Sequence, residues 1–140
     1  MANMANTAAY RLPDGRMAVD VDTAKTLTID DSGFVQNVIG NVIVTLPATA
    51  THGTWTIRNA GATINASGPA GAKTKGSQPQ ISPNAADKIQ GGVGGTATDD
   101  KDLINTAATS RIGDEVRVCN RGETNGPIVE FIKGIWAREA

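Results

Sequence analysis

Alternation of apolar and polar side chains is the main pattern along this chain, and it predicts β-strands. In Met17–Val21 the apolar residues Met17, Val19 and Val21 alternate with polar or small ones, as in a strand with one buried face. Thr54–Asn59 has the same period of two, which predicts that Trp55 and Ile57 are buried. The pattern therefore indicates a mainly β chain.

Further segments have a strand-like pattern and are separated by residues that favour turns. The predicted strands are Lys25–Ile29, Phe34–Val38, Val42–Leu46, Leu103–Asn105, Thr106–Thr109, Glu115–Cys119 and Ile128–Trp136, the last of them interrupted at Gly134. Two long stretches rich in Gly, Pro and Ser, 67–80 and 91–101, have no period and are predicted to be exposed loops.

One short helix is predicted within Ile81–Gly91. Ser82 can cap the first turn, Pro83 suits the first helical position and Gly91 can end the helix. Ile81 and Ile89 would anchor it to a sheet. This segment is the one place where a helix start and a helix stop occur close together.

Before Met17 the chain has neither a helical nor a strand period, and Pro13-Asp14-Gly15 supplies a turn. We therefore predict an extended N-terminal arm over residues 1–17, which is either a frayed terminus or a segment that becomes ordered on a partner, and a single β-rich domain over 18–140. A chain of 140 residues is long enough for one modest core.

The charge balance argues against several classes of partner. The chain has 13 Lys and Arg against 14 Asp and Glu, and no basic block could follow a phosphate backbone, so nucleic-acid binding is not expected. No apolar run has the length of a membrane span or of a secretory signal. We expect a protein that is made in the cytoplasm, stays soluble and has no membrane partner.

Catalytic and metal-binding constellations are missing from the sequence. His52 and Cys119 are the only residues of their types, which rules out a zinc site built from several His and Cys ligands, and His52 has the setting of an exposed loop histidine. Gly68–Thr74 lacks the glycine spacing of a phosphate-binding loop. The acidic run Asp99–Asp102 is predicted to be a solvated loop. We predict no enzyme, no cofactor and no metal.

Several segments together resemble a known family, over roughly residues 25–140. They are Thr56–Gly61, Ile81–Gly91, Asp99–Asn105, Arg111–Asp114 and Gly134–Ala140. In these segments the chain resembles the head decoration, or cement, proteins of tailed bacteriophages. The resemblance implies a small antiparallel β-barrel, β-tulip or sandwich, which assembles as a homotrimer at local three-fold positions on the outside of the virion and binds the major capsid protein.

In that setting the arm is the predicted contact with the capsid, because an extended segment can add a strand to a sheet edge without demanding a particular side-chain pattern. The candidate capsid-binding residues are Met4, Ala5, Asn6, Thr7, Ala8, Ala9, Tyr10, Arg11, Leu12, Arg16 and Met17.

Two alternatives remain open from the sequence. One is a phage adhesion or fibre module that binds host-surface carbohydrate, for which Trp136 would provide a surface ring beside the two long loops. The other is a minor structural subunit of a tail or baseplate.

Overall fold

The computed structural model of the chain describes residues 9–61, 77–94 and 96–140, and within them the fold is mainly β, as predicted. These described residues form eleven strands: β1 (Tyr10–Arg11), β2 (Met17–Val21), β3 (Lys25–Thr26), β4 (Val35–Val38), β5 (Ile43–Thr45), β6 (Gly53–Asn59), β7 (Gln80–Ser82), β8 (Leu103–Ile104), β9 (Glu115–Asn120), β10 (Ile128–Lys133) and β11 (Ala137–Arg138).

The strands form two sheets. The six-stranded sheet has the order β1-β2-β4-β6-β9-β10, and the five-stranded sheet has the order β11-β8-β7-β5-β3. From β2 to β7 successive strands belong to alternate sheets, so the chain winds as a coil with one strand of each turn in each sheet. Strands one turn apart are therefore parallel, as in the pairs β2 with β4 and β5 with β7.

The main core lies between the two sheets and consists of the inward residues of both. Trp55 and Ile57 are fully buried, as their alternating pattern predicted. The Trp55 indole Nε1 donates a hydrogen bond of 3.0 Å to the carbonyl oxygen of Thr28. The other buried members of this cluster are Val19, Val21, Leu27, Val38, Val42, Val44, Leu46, Ile81, Ile89, Leu103, Val116, Val118 and Trp136.

The described residues contain one 3₁₀ helix, Ile29–Asp31, at the end of a segment predicted to be a strand. The Thr28 side chain caps it by accepting from the backbone N–H of Asp30, and the Asp31 carboxylate accepts in return from the backbone N–H of Thr28. This local capping ends the strand at Thr26, short of the predicted Ile29.

The predicted helix within Ile81–Gly91 is wrong. Ile81 and Ser82 lie in β7, where Ser82 pairs with Thr45 and its carbonyl oxygen accepts from the backbone N–H of Leu46. A tight turn follows, in which the backbone N–H of Asp87 donates to the carbonyl oxygen of Asn84. Sheet pairing satisfies the backbone groups that a helix cap would have used, so tertiary context overrides the local capping signal.

The antiparallel barrel is also wrong. The sheets are mixed, and in the part of the chain that the structure describes they do not close into a barrel. The winding of the chain explains both differences, because it places neighbouring strands of one sheet in parallel and leaves each sheet with two edges. The sandwich among the predicted alternatives is compatible with the observed architecture.

One further strand prediction needs correction. Thr106–Thr109 is a turn, in which the backbone N–H of Thr109 donates to the carbonyl oxygen of Thr106. The interruption predicted at Gly134 is confirmed: β10 ends at Lys133, because Gly134 has a φ of 91° and redirects the chain towards β11.

Candidate functional site

The described part of the predicted arm lies on the protein's own six-stranded sheet. Tyr10 and Arg11 in β1 pair with Ala18 and Met17 in β2, which makes a tight hairpin. The hairpin loop is closed by a 2.7 Å hydrogen bond from the Leu12 backbone N–H to the Arg16 carbonyl oxygen. We call residues 10–16 the strap.

The outer face of this sheet carries two rows of side chains that cross it from strand to strand. The registers of the paired strands place Ala18, Val35, Thr56, Arg117 and Phe131 in one row and Asp20, Asn37, Arg58, Glu115 and Lys133 in the other. The second row alternates in sign along most of its length. It is this polar row that the strap contacts at both of its ends.

Tyr10 makes the first of these contacts. Its hydroxyl donates to Asp20 Oδ1 at 2.5 Å and accepts from Asn37 Nδ2 at 2.6 Å. Asn37 in turn accepts from the Arg58 guanidinium through Oδ1 at 3.3 Å. Partial burial, followed by the hydrogen bond to Asp20, raises the pKa of the Tyr10 hydroxyl.

Leu12 forms the middle of the strap and is buried. It packs with Ala18 and Val35 in a small apolar cluster that is separate from the main core. This cluster covers part of the outer face of the sheet, which would otherwise expose two apolar residues to solvent.

Arg16 makes the contact at the other end. Its guanidinium donates two hydrogen bonds to the Glu115 carboxylate, of 2.7 and 3.0 Å, and Nε donates to Asp14 Oδ2 at 2.9 Å. Glu115 is only 6% exposed, whereas the Arg16 side chain is 37% exposed, so water screens this bidentate contact from the Arg16 side. The hydrogen bonds with Arg16 lower the pKa of Asp14, and the two carboxylates raise the pKa of Arg16.

The remaining predicted site residues have different positions. Met4, Ala5, Asn6, Thr7 and Ala8 lie outside the described residues. Ala9 is half-buried against the main core, and Met17 is half-buried at the start of β2. Arg11 is exposed, and its guanidinium donates to the Gly15 carbonyl oxygen at 2.9 Å. The structure thus brings Tyr10, Leu12 and Arg16 together with the sheet and leaves Arg11 facing solvent.

Sequence reasoning missed the sheet residues that hold the strap. Asn37 and Glu115 each lie in a predicted strand, but nothing local links them to a residue near the N-terminus. Glu115 is separated from Arg16 by 99 positions, so only the three-dimensional fold shows the pair. The sequence gives only a weak indication of this pair: Glu115 is a carboxylate at an outward position of a predicted strand, and Arg16 is an arginine near the N-terminus.

A second group of exposed residues lies around β10, one edge of the six-stranded sheet. Phe131 is 40% exposed, and the Arg117 guanidinium lies 5.3 Å from the centre of its ring. Ile112 and Ile135 are also exposed. The Asp114 carboxylate lies against the backbone of Gly134. Ile112 lies two residues before Asp114 and Ile135 directly follows Gly134, so the two exposed isoleucines lie on either side of this contact.

The prediction that Trp136 is a surface ring is wrong. Trp136 is 5% exposed, belongs to the main core and donates from Nε1 to the Lys133 carbonyl oxygen at 3.0 Å. The turn at Gly134 directs the side chain between the sheets. The carbohydrate-binding alternative therefore loses the aromatic residue on which it depended.

Within residues 9–61, 77–94 and 96–140, no three His, Cys, Asp or Glu side chains gather as metal ligands, and no pocket opens at the surface. His52 is exposed, and Cys119 is a buried free thiol in β9. None of the helical residues in this part of the chain forms a segment capable of crossing a membrane. No protein-family model, curated protein or solved structure matches the chain.

Proposed function

We propose that this chain is a capsid decoration, or cement, protein that binds the outer surface of a bacteriophage head and stabilises the expanded shell. The observation that supports the proposal best is the anchored hairpin. It fixes the first described residue, Ala9, beside an edge of the six-stranded sheet, so that the eight residues before it start from a defined point on a β-sandwich body.

The proposed mechanism requires binding alone. Residues at the N-terminus add a strand to an exposed edge of the major capsid protein, and main-chain hydrogen bonds supply affinity. In a homotrimer three such arms bind at once, which slows dissociation far below that of one arm. A protein that binds only the expanded shell shifts the equilibrium towards that shell by mass action. The proposal involves no catalysis, cofactor, nucleic acid or membrane.

The chemistry of the described surface is consistent with a protein partner. The exposed residues around β10 combine apolar side chains with charges of both signs, Glu130 and Lys133 among them. Such mixed surfaces are typical of protein interfaces, whereas a nucleic-acid surface would be dominated by positive charge. The division into an arm over 1–17 and a body over 18–140 stays a prediction.

Co-sedimentation with expanded capsids that lack the chain tests the proposal. The capsids come from the phage that encodes it, and the two forms compared are the full-length chain and a truncation that begins at Ala9. Starting at Ala9 keeps β1, the strap and all of their contacts, so the truncation removes only the segment proposed to bind.

We expect the full-length chain to saturate the particles and raise the temperature at which they release their contents, and the truncation to do neither. Equal binding by both forms would support the cement function but would contradict the proposed role of the arm in it. Absence of binding by both forms would overturn the proposal. Analytical ultracentrifugation of the free chain then tests the homotrimer separately.

A further inference from the structure

The strap is held at three points on the outer face of the six-stranded sheet. Tyr10 is bonded to Asp20 in β2 and to Asn37 in β4. Leu12 packs on Val35 in β4, and Arg16 reaches Glu115 in β9. The three anchors therefore span four neighbouring strands, β2, β4, β6 and β9, rather than the edge alone.

Release of the strap would be unfavourable because of what it uncovers. Glu115 is nearly buried, and in the described residues the hydrogen bonds to its carboxylate come from Arg16. Lifting Arg16 away would remove both hydrogen bonds from this carboxylate, which is costly for a charge with little access to water, even though Arg58 and Lys133 lie beside Glu115 in the same row. The same movement would expose Leu12 together with the two apolar residues beneath it.

We propose that Tyr10, Leu12 and Arg16 form a clasp that stays closed when the protein engages its partner. They act on the protein's own sheet and anchor the arm, while contact with the partner belongs to the residues before Tyr10 and to the exposed Arg11. The anchoring stands on the contacts of the strap alone. The statement about the partner rests on the proposed function.

A closed clasp limits how far the arm can extend. The eight residues before Ala9 span at most about 28 Å when fully extended. If the strap were released as well, the extended segment would be roughly twice as long. The proposal therefore places the partner's acceptor edge within about 28 Å of the β1 edge.

Hydrogen exchange on the free full-length chain tests the anchoring. The reporters are the backbone amides of Leu12 and Gly15, which bond within the strap, and the variant is Glu115→Gln. The matched control is Glu130→Gln, which removes a carboxylate from an exposed position of β10. We expect exchange at the two strap amides to accelerate at least tenfold in Glu115→Gln, with core amides such as that of Ile57 unchanged, and no change in the control.

Two outcomes would overturn the clasp. One is unchanged exchange at Leu12 and Gly15 in Glu115→Gln. The other is acceleration of the core amides by the same factor, which would show that Glu115 supports the whole fold. The double variant Arg16→Met with Glu115→Gln provides a second check, because it should accelerate the strap amides no further than Glu115→Gln alone if the two side chains act through each other.

Capsid binding by the same variants tests the second half of the proposal. We expect Glu115→Gln to bind expanded capsids about fivefold to tenfold more weakly, because a loosened strap no longer pre-organises the arm. Tighter binding by Glu115→Gln would show that the strap opens in the complex and would overturn the closed clasp. If exchange behaves as expected but no form binds capsids, the anchoring stands and the proposed function fails.

Discussion

Lys25 and Arg138 occupy the two ends of a single inward-facing row across the five-stranded sheet. Between them the registers place Val44, Ile81 and Leu103, all in the core. Inward-pointing charges on edge strands discourage pairing with another chain, because a second strand would remove the water that still reaches them. Both edges of this sheet are thus protected in the same way.

Lys25 has a second role, since it joins the two sheets. Its Nζ lies 2.9 Å from Asp31 Oδ1 and donates to Gln36 Oε1 at 2.8 Å, and Gln36 is a fully buried residue of the other sheet. We expect Lys25→Met to lower the free energy of unfolding by about 1–3 kcal/mol, because it leaves the buried Asp31 carboxylate without its cation. Urea unfolding measures this change.

Two further variants define that experiment. Adding Asp31→Asn to Lys25→Met should recover part of the loss, because the unpaired charge is then removed as well. Lys133→Met, at an exposed position, should stay within about 0.5 kcal/mol of the natural chain. A loss in Lys133→Met as large as in Lys25→Met would contradict the specific role of the inward charge.

Gly134 is required for two reasons. Its φ of 91° is strained for other residues, and a Cβ there would overlap the Asp114 carboxylate, which holds Asn105 and the backbone N–H of Arg111. We expect Gly134→Ala to cost about 2–4 kcal/mol in thermal or denaturant unfolding. Gly33→Ala is the matched control, since Gly33 has a similar φ of 87° with open space around it. Equal costs at the two sites would refute the steric part.

Tyr10 is the only tyrosine, so ultraviolet absorbance follows its ionisation directly. Burial and the hydrogen bond to Asp20 raise its pKa above the ordinary value of about 10. The strap is therefore expected to be fully held below pH 10 or so and to lose this contribution as the pH rises through the higher folded-state pKa.

The matched variant for this titration is Asp20→Asn. Removing the carboxylate should move the titration midpoint back towards the ordinary value, though not all the way, because burial is the larger cause. A midpoint at or below the ordinary value in the natural chain would show that the Tyr10 hydroxyl is free in solution.

Both tryptophans are buried: Trp55 is completely buried, and Trp136 is 5% exposed. We expect iodide to quench the fluorescence of the folded chain only weakly, and to quench the guanidinium-unfolded chain strongly, because the ion cannot enter the core. Strong quenching of the folded chain that disappears in Trp136→Phe would contradict the buried position. It would also revive the carbohydrate-binding alternative.

Strands with clear alternation could be predicted from the sequence because their signal is local. Met17–Val21 has the predicted bounds, and Thr54–Asn59 and Glu115–Cys119 differ by one residue at one end. In each strand two apolar residues at alternate positions enter the core: Val19 and Val21, Trp55 and Ile57, and Val116 and Val118. The period of two in the sequence therefore indicates which side chains point inward.

The sheet arrangement could not be predicted in this way, since pairing depends on residues distant in sequence. Nothing in Phe34–Val38 specifies a parallel neighbour, and Ser82-Pro83 carries a genuine capping signal that sheet pairing overrides. The strap was hidden for the same reason. Its contacts connect Tyr10 and Arg16 to polar residues of distant strands. From the sequence, the alternation in those strands predicts only that these polar side chains face away from the core, and not what they contact.

The coil from β2 to β7 has a consequence for the order in which the chain assembles. Each parallel strand pairs with one a full turn away, as Ala18 does with Val35, and such contacts form only after a long loop has closed. The largest local unit is the β9–β10 hairpin, whose strands are joined by residues 121–127. Folding is therefore expected to begin near the C-terminus, with this hairpin as the template on which β6, and then the earlier turns, are laid down.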